Sequence, residues 1–318
     1  MDIVVTGGAG FLGTRLIRAL LEAREEERPG IPAFDRIVSL DLAECPLADE
    51  RVVSRTGSIS NPDLAKMVIG PQTCGVFHLA AVVSGQAEAE FETGMSANLD
   101  GTRLLLDACR EAGSRPFFLF SSSLAVFGDD CPPVVFDDQI LRPRSSYGTQ
   151  KAIVEMLVAD YTRRGFIDGV VARLPTVVVR PGQPNAAASS FVSSILREPL
   201  SGKNAVCTVP IDTALWISSP QTVIANLVSL LTMDRSLLAR RIQINLPGIT
   251  VTPKEMLEAL SKTCGSTVAE RVKIKPDPKV EAIVCSWPSK FSVQSALLMG
   301  LEQDKNIESV ITGYLAEL

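Results

Sequence analysis

The sequence predicts an α/β protein, with a doubly wound parallel sheet followed by a smaller mixed α/β lobe. In the first two-thirds of the chain, short β-branched runs alternate with longer stretches that carry apolar residues at positions i, i+3, i+4 and i+7. The first pattern is typical of strands and the second of amphipathic helices. Because the strand-like runs are apolar almost throughout, they indicate a parallel sheet that helices cover on both faces.

The order of these patterns gives the expected elements and domains. The predicted strands are 3–6, 36–40, 51–54, 75–79, 117–121 and 169–173. The predicted helices between them are 11–27, 64–69, 97–113 and 147–165. After about residue 180 the Pro- and Ser-rich segment RPGQPNAAASS interrupts the alternation. We therefore expect a first domain over residues 1–180, with a strand and a helix returning to it from about 205–245, and a second lobe over 181–318.

The composition narrows the class of protein. The chain has 318 residues, of which 46% are apolar and 21% charged, and its net charge is −5. This composition is ordinary for a globular protein, and the acidic balance argues against nucleic acid or an anionic membrane as a partner. No apolar run is long enough to span a bilayer, and the N-terminus lacks the pattern of a signal peptide. The sequence therefore predicts a cytoplasmic protein.

Cysteine and histidine are poorly placed to bind a metal ion. The seven cysteines are widely scattered, no Cys-x-x-Cys pair occurs, and His78 is the only histidine. We therefore expect reduced thiols and no metal site. His78 lies inside the apolar run VFHLAAVV, which favours a packed strand residue over a mobile base.

A glycine-rich turn follows the first predicted strand and opens the first predicted helix. The stretch IVVTGGAGFLG places Gly7, Gly10 and Gly13 at intervals of three residues. In a Rossmann fold such glycines permit a tight turn, the close approach of a pyrophosphate and close packing of the helix on the sheet, while the helix N-terminus supplies free N–H donors. This context predicts a dinucleotide-binding site, and a purely structural turn is the alternative.

An acidic residue stands where the second predicted strand ends. The stretch IVSLDL places Asp41 at the carboxyl end of that strand. A carboxylate there accepts hydrogen bonds from both hydroxyls of the adenosine ribose and repels the 2′-phosphate of NADP. Asp41 therefore predicts NAD rather than NADP, and a plain surface acid is the alternative.

Polar side chains at the end of the fifth strand and the start of the next helix form a candidate catalytic set. The run FFLFSSS leaves Ser121, Ser122 and Ser123 at the carboxyl end of the strand, where open α/β sheets bind ligands. Tyr147 and Lys151 are four residues apart, which places them on one face of a helix. An ammonium beside a phenol favours the phenolate. The pair therefore predicts a tyrosine general base for hydride transfer to a nicotinamide, with a serine hydroxyl orienting the substrate.

Together these elements resemble the extended short-chain dehydrogenase/reductase superfamily over nearly the whole chain. VFHLAA at 76–81 is similar to its fourth-strand signature, and ANLDGT at 97–102 is similar to its Asn-containing helix start. The resemblance implies that Ser123, Tyr147 and Lys151 are the catalytic residues.

The resemblance also implies the cofactor site and the assembly. The superfamily usually has Tyr where Phe127 stands and Asp where Ser58 stands, so the match is not complete. It implies NAD as the cofactor and a homodimer that pairs the helices at 97–113 and 147–165. The implied cofactor contacts are Gly7, Gly10, Phe11, Leu12, Gly13, Asp41, Ser58, Ile59, Leu79, Ala80, Ala81, Asn98, Ser121, Tyr147, Lys151, Pro175, Thr176 and Val177.

A later segment resembles one branch of the superfamily. The stretch ARLPTVVVRPGQPNAAASSFVSSILREPLSG at 172–202, with LWISSP at 215–220, is similar to NAD-dependent D-erythronate dehydrogenases. This resemblance implies oxidation of a small sugar acid at C2 to the 2-oxo acid. A carboxylate substrate needs a cation or several donors, and its hydroxyls need polar partners. The candidate substrate contacts are Ser84, Ser123, Tyr147, Thr176, Arg180, Asn185, Ser189, Ser190 and Arg197.

Two other functions stay open from the sequence. A nucleotide-sugar epimerase or dehydratase would use the same scaffold and retain NAD through its cycle, but the chain lacks the Asn-x-Tyr-Gly-Pro pattern of those enzymes. A non-catalytic NAD-sensing regulator would be expected to have lost the Tyr–Lys pair, which is intact here.

Overall fold

The computed structural model describes residues 1–182, 186–238 and 241–318. The chain forms two compact units, and each is discontinuous in sequence. The first unit consists of Met1–Ser123, Ser146–Arg173 and Ile224–Ile244. The second unit consists of Leu124–Ser145, Leu174–Val223 and Asn245–Leu318. The assignment of these units to cofactor and substrate binding stays a prediction.

Strands and helices alternate along the first two-thirds of the chain, as the sequence pattern predicts. The strands are β1 (Asp2–Thr6), β2 (Arg36–Asp41), β3 (Val52–Thr56), β4 (Thr73–His78), β5 (Phe117–Ser123), β6 (Asp168–Leu174), β7 (Thr176–Val177), β8 (Ala205–Cys207), β9 (Leu215–Ser218), β10 (Gln243–Asn245), β11 (Ile249–Val251) and β12 (Val272–Ile274). The helices are α1 (Phe11–Glu25), α2 (Pro62–Val68), α3 (Ser84–Ala89), α4 (Phe91–Gly94), α5 (Thr102–Ala112), α6 (Ser146–Arg163), α7 (Ser190–Leu200), α8 (Pro220–Thr232), α9 (Pro253–Cys264), α10 (Ser266–Ala269), α11 (Pro278–Val284), α12 (Gln294–Leu298) and α13 (Ile307–Leu315).

The first unit is built on a large sheet. Within the described residues, seven strands form it in the order β10-β6-β5-β4-β1-β2-β3. The pairs β1–β2, β1–β4, β2–β3 and β4–β5 are parallel. The strand order changes direction between β1 and β4, and doubly wound sheets bind ligands at the carboxyl ends of their strands at such a point. The predicted α/β class with a doubly wound parallel sheet is therefore confirmed.

The helices of the first unit bury their apolar faces against this sheet. On α1, Leu16 and Leu20 are fully buried, and they belong to the stripe that the sequence pattern predicts. On α6, Val154 and Val158 are one turn apart and join a core cluster with Phe118 of β5. Each fully buried Leu or Val contributes about 1.5–3 kcal/mol relative to an exposed position.

The helix expected over 97–113 begins differently. A π-helical stretch, Met95–Gly101, precedes α5, and Gly113 ends α5 with a left-handed φ of +68°. Gly101 packs so closely on Ile59 that an added Cβ would lie 2.8 Å from the Ile59 side chain. Wide π turns are frequent at functional sites, and this one carries Asn98, a predicted cofactor contact.

The second unit contains two small sheets and its own core. Within its described residues, β11, β9 and β7 form one sheet, with β9 antiparallel to β11 and parallel to β7, and β12 pairs with β8 in parallel. Val192, Ile195, Leu260 and Ile311 lie at the centre of its apolar cluster.

Asp304 ties the end of β9 to the start of α8. Its carboxylate accepts hydrogen bonds from the Ser218 hydroxyl at 2.8 Å, the Ser219 backbone N–H at 2.7 Å and the Thr222 hydroxyl at 2.9 Å. Ser218 and Ser219 are buried, so water does not readily replace this acceptor.

We expect Asp304→Ala to lower the free energy of unfolding by about 1–3 kcal/mol, because it leaves the buried Ser219 N–H without its acceptor. Denaturant titration followed by circular dichroism measures the change. Lys305→Ala, at the exposed neighbouring position, is the control and should unfold like the wild type. An equal free energy of unfolding in Asp304→Ala and in the control would show that the Asp304 hydrogen bonds do not stabilise the fold.

Candidate active site

The glycine turn between β1 and α1 has two glycines that the protein itself requires. Gly7 has a left-handed φ of +71°, and a Cβ on it would lie 2.8 Å from the Ala80 backbone nitrogen. A Cβ on Gly13 would lie 2.0 Å from the Gly7 carbonyl oxygen. A Cβ on Gly10 would meet just that same oxygen, at 3.1 Å. Gly10 therefore keeps space open at the N-terminus of α1, which is where a pyrophosphate binds in this type of turn.

A third tight contact in the turn, at Gly8, is not part of the predicted glycine motif. A Cβ on Gly8 would lie 2.3 Å from the Ser39 hydroxyl oxygen, so Gly8 lets the turn pack against β2. The doubled glycine in VTGGAG was the available signal.

Asp41 lies at the end of β2 and is hydrogen-bonded to the same turn. One carboxylate oxygen accepts from the Ala9 backbone N–H at 3.0 Å and the other from the Leu42 N–H at 2.6 Å. The side chain is half-buried. The carboxylate is thereby fixed beside the glycine turn, in the position that a ribose-binding acid occupies in a Rossmann fold.

Tyr147 and Lys151 lie one turn apart at the start of α6. The Lys151 ammonium is almost fully buried, donates a hydrogen bond to the Ser121 carbonyl at 2.8 Å and lies 5.6 Å from the centre of the Tyr147 ring. It also lies 4.5 Å from the centre of the Phe120 ring, which is within cation–π range. The structure thus brings the predicted tyrosine, the predicted lysine and the end of β5 together.

Burial changes the protonation of this lysine. Loss of hydration lowers the pKa of Lys151 to about 7, while the carboxylate of Glu155 on the next turn of α6 acts in the opposite direction. Lys151 is therefore close to the balance between ammonium and amine at neutral pH. A cation here would stabilise a neighbouring phenolate.

The three serines of β5 have different surroundings. The Ser121 hydroxyl donates to the His78 carbonyl at 2.9 Å, and the Ser122 hydroxyl donates to the Glu155 carboxylate. Ser123 is the last residue of the strand and is half-buried. Its position fits the substrate-orienting serine that the family resemblance implies.

His78 is a neutral packing residue in β4. The Thr102 hydroxyl donates its hydrogen to the Asn98 carbonyl, so toward His78 this hydroxyl can only accept, and His78 Nε2 must carry the hydrogen. His78 Nδ1 is then unprotonated and accepts from the Thr6 hydroxyl. Burial and the nearby Lys151 charge lower the pKa of His78 to about 3. Such a ring cannot serve as a general base near neutral pH, in agreement with the sequence-based expectation.

The loop after β4 is held by a side-chain amide. Asn98 accepts from the Val82 N–H at 2.8 Å and donates to the Val82 carbonyl at 3.0 Å and to the Gln150 side chain at 2.7 Å. The Ala80 N–H donates to the Thr6 hydroxyl at 3.3 Å. Asn98 therefore shapes the predicted cofactor loop by binding its backbone.

The remaining predicted cofactor positions surround this area of the first unit or lie in the second. In the first unit, Leu79 and Ala81 are half-buried, Ile59 is buried and Ser58 is exposed. The Arg15 guanidinium lies 4.8 Å from the centre of the Phe11 ring. The other members of the predicted set are Leu12, which is half-buried on α1, and Pro175, Thr176 and Val177, which are buried in the second unit.

Two arginines of the second unit have distinct roles in its structure. The Arg197 guanidinium is buried, donates to both carboxylate oxygens of Glu198 at 2.7 and 2.6 Å, and donates to the Arg180 carbonyl at 2.6 Å. Arg180 is half-buried and donates from Nε to the Val177 carbonyl at 3.1 Å. Arg197 thus fixes the backbone that carries Arg180.

Ser84 is buried at the start of α3, and Ser189 is buried just before α7, which Ser190 begins. Asn185 lies outside the described residues.

Among the described residues no group of His, Cys, Asp or Glu side chains is arranged to hold a metal ion, and no helix has the length and apolarity to cross a membrane.

The doubly wound sheet, with a glycine turn after β1 and a carboxylate at the end of β2, has the form of a dinucleotide-binding fold. The Tyr147–Lys151 pair lies at the end of β5, as expected for a nicotinamide-dependent enzyme of the short-chain type. The chain belongs to the NAD dependent epimerase/dehydratase family, whose model matches residues 3–216. The family expected from the sequence motifs is therefore confirmed, and the donors and open space of the glycine turn suit an NAD-type cofactor.

Two relatives match over the full length of the chain. D-erythronate dehydrogenase of Cupriavidus necator is 49% identical over 100% of this chain and 98% of the relative. D-erythronate dehydrogenase of Haemophilus influenzae is 42% identical over 99% of both chains. Among solved structures, the nucleoside-diphosphate-sugar epimerase from Agrobacterium tumefaciens is similar with a TM-score of 0.92 and 36% identity, covering 100% of this chain and 94% of that one.

We expect Gly10→Ala to fold but to weaken NADH binding by roughly tenfold or more, about 1.4 kcal/mol, because the new methyl group fills space next to the helix N-terminus. Fluorescence titration with NADH measures the loss. Gly70→Ala is the matched control, since a Cβ on Gly70 meets nothing within 4 Å. Unchanged NADH affinity in Gly10→Ala would contradict the assignment of the turn.

Proposed function

We propose that the protein is an NAD-dependent dehydrogenase that oxidises D-erythronate at C2 to the corresponding 2-oxo acid. The observation that carries the chemistry is the buried Lys151 ammonium, bonded to the Ser121 carbonyl at 2.8 Å and 5.6 Å from the Tyr147 ring centre. The substrate is supported by two full-length relatives, 49% and 42% identical, that are named for D-erythronate.

In this reaction NAD, when bound, supplies the hydride acceptor. Tyr147 takes the proton of the substrate hydroxyl as general base, which contributes roughly 10²–10⁴-fold to the rate. Lys151 stabilises the Tyr147 phenolate by its positive charge. Ser123 holds the reacting oxygen by its hydroxyl, so that the oxygen faces Tyr147.

The glycine turn and Asp41 support NAD as the preferred dinucleotide. The N–H groups at the start of α1 would bind the pyrophosphate, and the Asp41 carboxylate would accept from the ribose hydroxyls. A 2′-phosphate at that position would be repelled by the carboxylate, which disfavours NADP.

Of the two arginines, Arg180 is the better candidate for the carboxylate of the sugar acid. Arg197 already forms a bidentate pair with Glu198, so a second carboxylate would have to compete with it. Ser84, Ser189 and Ser190 remain candidates for the substrate hydroxyls. A cytoplasmic homodimer remains the expected form of the enzyme.

A nucleotide-sugar epimerase is the second candidate, since the similar Agrobacterium tumefaciens structure is described as one. An epimerase would retain NAD through its cycle and need none added. Absorbance of the purified protein for tightly held nucleotide, together with the dependence of turnover on added NAD, distinguishes the two.

The central test follows NADH formation at 340 nm across C4–C6 aldonates, with NADP in parallel. We expect D-erythronate with NAD to give the highest kcat/KM. Tyr147→Phe should lower kcat by about 10²-fold or more and leave NADH binding unchanged, because it removes the base but keeps the ring. Turnover of Tyr147→Phe near the wild-type rate would refute the mechanism.

We expect Arg180→Gln to raise the KM for D-erythronate about tenfold or more, through loss of a charge-assisted hydrogen bond, with the KM for NAD unchanged. Arg180→Lys should recover part of the affinity because it keeps the charge. Steady-state kinetics with each substrate varied separates these effects. An unchanged KM for D-erythronate in Arg180→Gln would remove Arg180 from the site.

A further inference from the structure

A buried ion pair lies one helical turn beyond Lys151. Glu155 of α6 and Arg173 of β6 are 1% and 5% exposed. The Arg173 Nη2 donates to one carboxylate oxygen at 2.7 Å, and its Nε lies 3.0 and 3.2 Å from the two oxygens. The Ser122 hydroxyl donates to the same carboxylate. Three elements of the first unit, α6, β5 and β6, thus meet at one charged group.

Stability alone does not account for this pair. Removing two charges from water is expensive, and apolar residues of similar volume often replace a buried ion pair with no loss of stability. The neighbouring core is apolar, with Phe118, Val154 and Val158 in one cluster. A chain that needed only packing here would be served equally well by an apolar pair.

The geometry relates the pair to the Tyr–Lys site. Residues four apart on a helix lie on one face, so Tyr147, Lys151 and Glu155 occupy successive turns on the same face of α6. Ser122 stands between Ser121, whose carbonyl accepts from Lys151, and Ser123, the strand-end serine. Glu155 therefore binds the end of β5 at Ser122, which lies between two residues of the proposed site, Ser121 and Ser123.

The charged and titratable groups at Lys151 and at its neighbour Glu155 come from several packed elements. Glu155 and Tyr147 lie on α6, Arg173 on β6 and His78 on β4, and β5 contributes the Ser121 carbonyl. His78 is uncharged near neutral pH. Glu155 is the acidic group whose charge raises the pKa of Lys151, and Arg173 fixes the position of that carboxylate.

We propose that Glu155 is a positioning residue for Lys151. Its carboxylate, held by Arg173 and Ser122, fixes α6 to the end of β5 and keeps a negative charge one helical turn from the Lys151 ammonium. Its effect on turnover rests on the proposed function, but its effect on Lys151 is independent of any substrate.

The first experiment titrates Lys151 by NMR in protein labelled at lysine Cε, with the resonance assigned by its loss in Lys151→Met. Glu155→Gln removes the negative charge and should move the Lys151 midpoint down by about one pH unit, whereas Arg173→Gln removes the positive charge and should move it up. Asp168→Asn is the control, because it breaks the Arg235–Asp168 ion pair at the other end of β6. It should leave the midpoint unchanged.

A role in packing alone would not move the midpoint in opposite directions. Shifts of the same sign in Glu155→Gln and Arg173→Gln, or no shift in either, would overturn the proposal. If Arg173→Gln fails to fold, Glu155→Gln against Asp168→Asn still decides it, since an unchanged midpoint in Glu155→Gln is sufficient to refute the role.

The second experiment replaces the pair by apolar residues, Glu155→Leu with Arg173→Met. We expect thermal stability near that of the wild type, but a kcat about tenfold lower with the KM for NAD unchanged, since the variant lacks the Ser122–Glu155 hydrogen bond that fixes α6 to the end of β5. A wild-type kcat in a double variant of wild-type stability would refute the proposal. Absence of turnover in the wild-type protein would instead refute the proposed function, and the NMR titration would still test Glu155.

Discussion

The hydrogen bond from the buried Lys151 ammonium to the Ser121 carbonyl is the constraint on which the site depends. A lysine amine that is 2% exposed needs a polar partner, because burial without one is costly. The bond therefore fixes α6 against the end of β5, and Tyr147 is fixed with it. The same charge affects β4, where burial and the nearby Lys151 charge lower the pKa of His78 and keep its ring neutral. A second cation in that position would raise the cost of charging Lys151.

The glycine turn was predictable because its spacing reflects contacts between neighbouring segments. Gly7 needs a left-handed turn and Gly13 needs contact with the Gly7 carbonyl, so both positions are fixed by local geometry. Gly10 differs in degree, since a Cβ there would lie 3.1 Å from the Gly7 carbonyl oxygen, and the family motif gives the further reason for glycine at this position. The sheet was predictable for a related reason, because buried parallel strands leave continuous apolar runs in the sequence.

Contacts between distant side chains were not predictable. Glu155 is 18 residues from Arg173 and 33 from Ser122, and no local period links them. Without the structure Glu155 is one more charge on a helix. Asn98 was predicted as a cofactor contact from the family resemblance, but its amide bonds to the backbone of Val82, which no motif could reveal. The sequence motifs identify the residues of a site more readily than the residues that hold them in place.

The first unit cannot choose the substrate by itself. A Tyr–Lys pair beside a strand-end serine serves several oxidoreductions, and a shared fold does not fix the reactant. The substrate proposal therefore depends on other groups, and Arg180 of the second unit is the candidate that the proposal names. There Arg197, which is held in place by its bidentate pair with Glu198, donates a hydrogen bond to the Arg180 backbone carbonyl at 2.6 Å. A charge-assisted hydrogen bond to a carboxylate weakens when the cation is misplaced. If Arg180 binds the substrate as proposed, Arg197 would therefore affect substrate choice by fixing the position of Arg180.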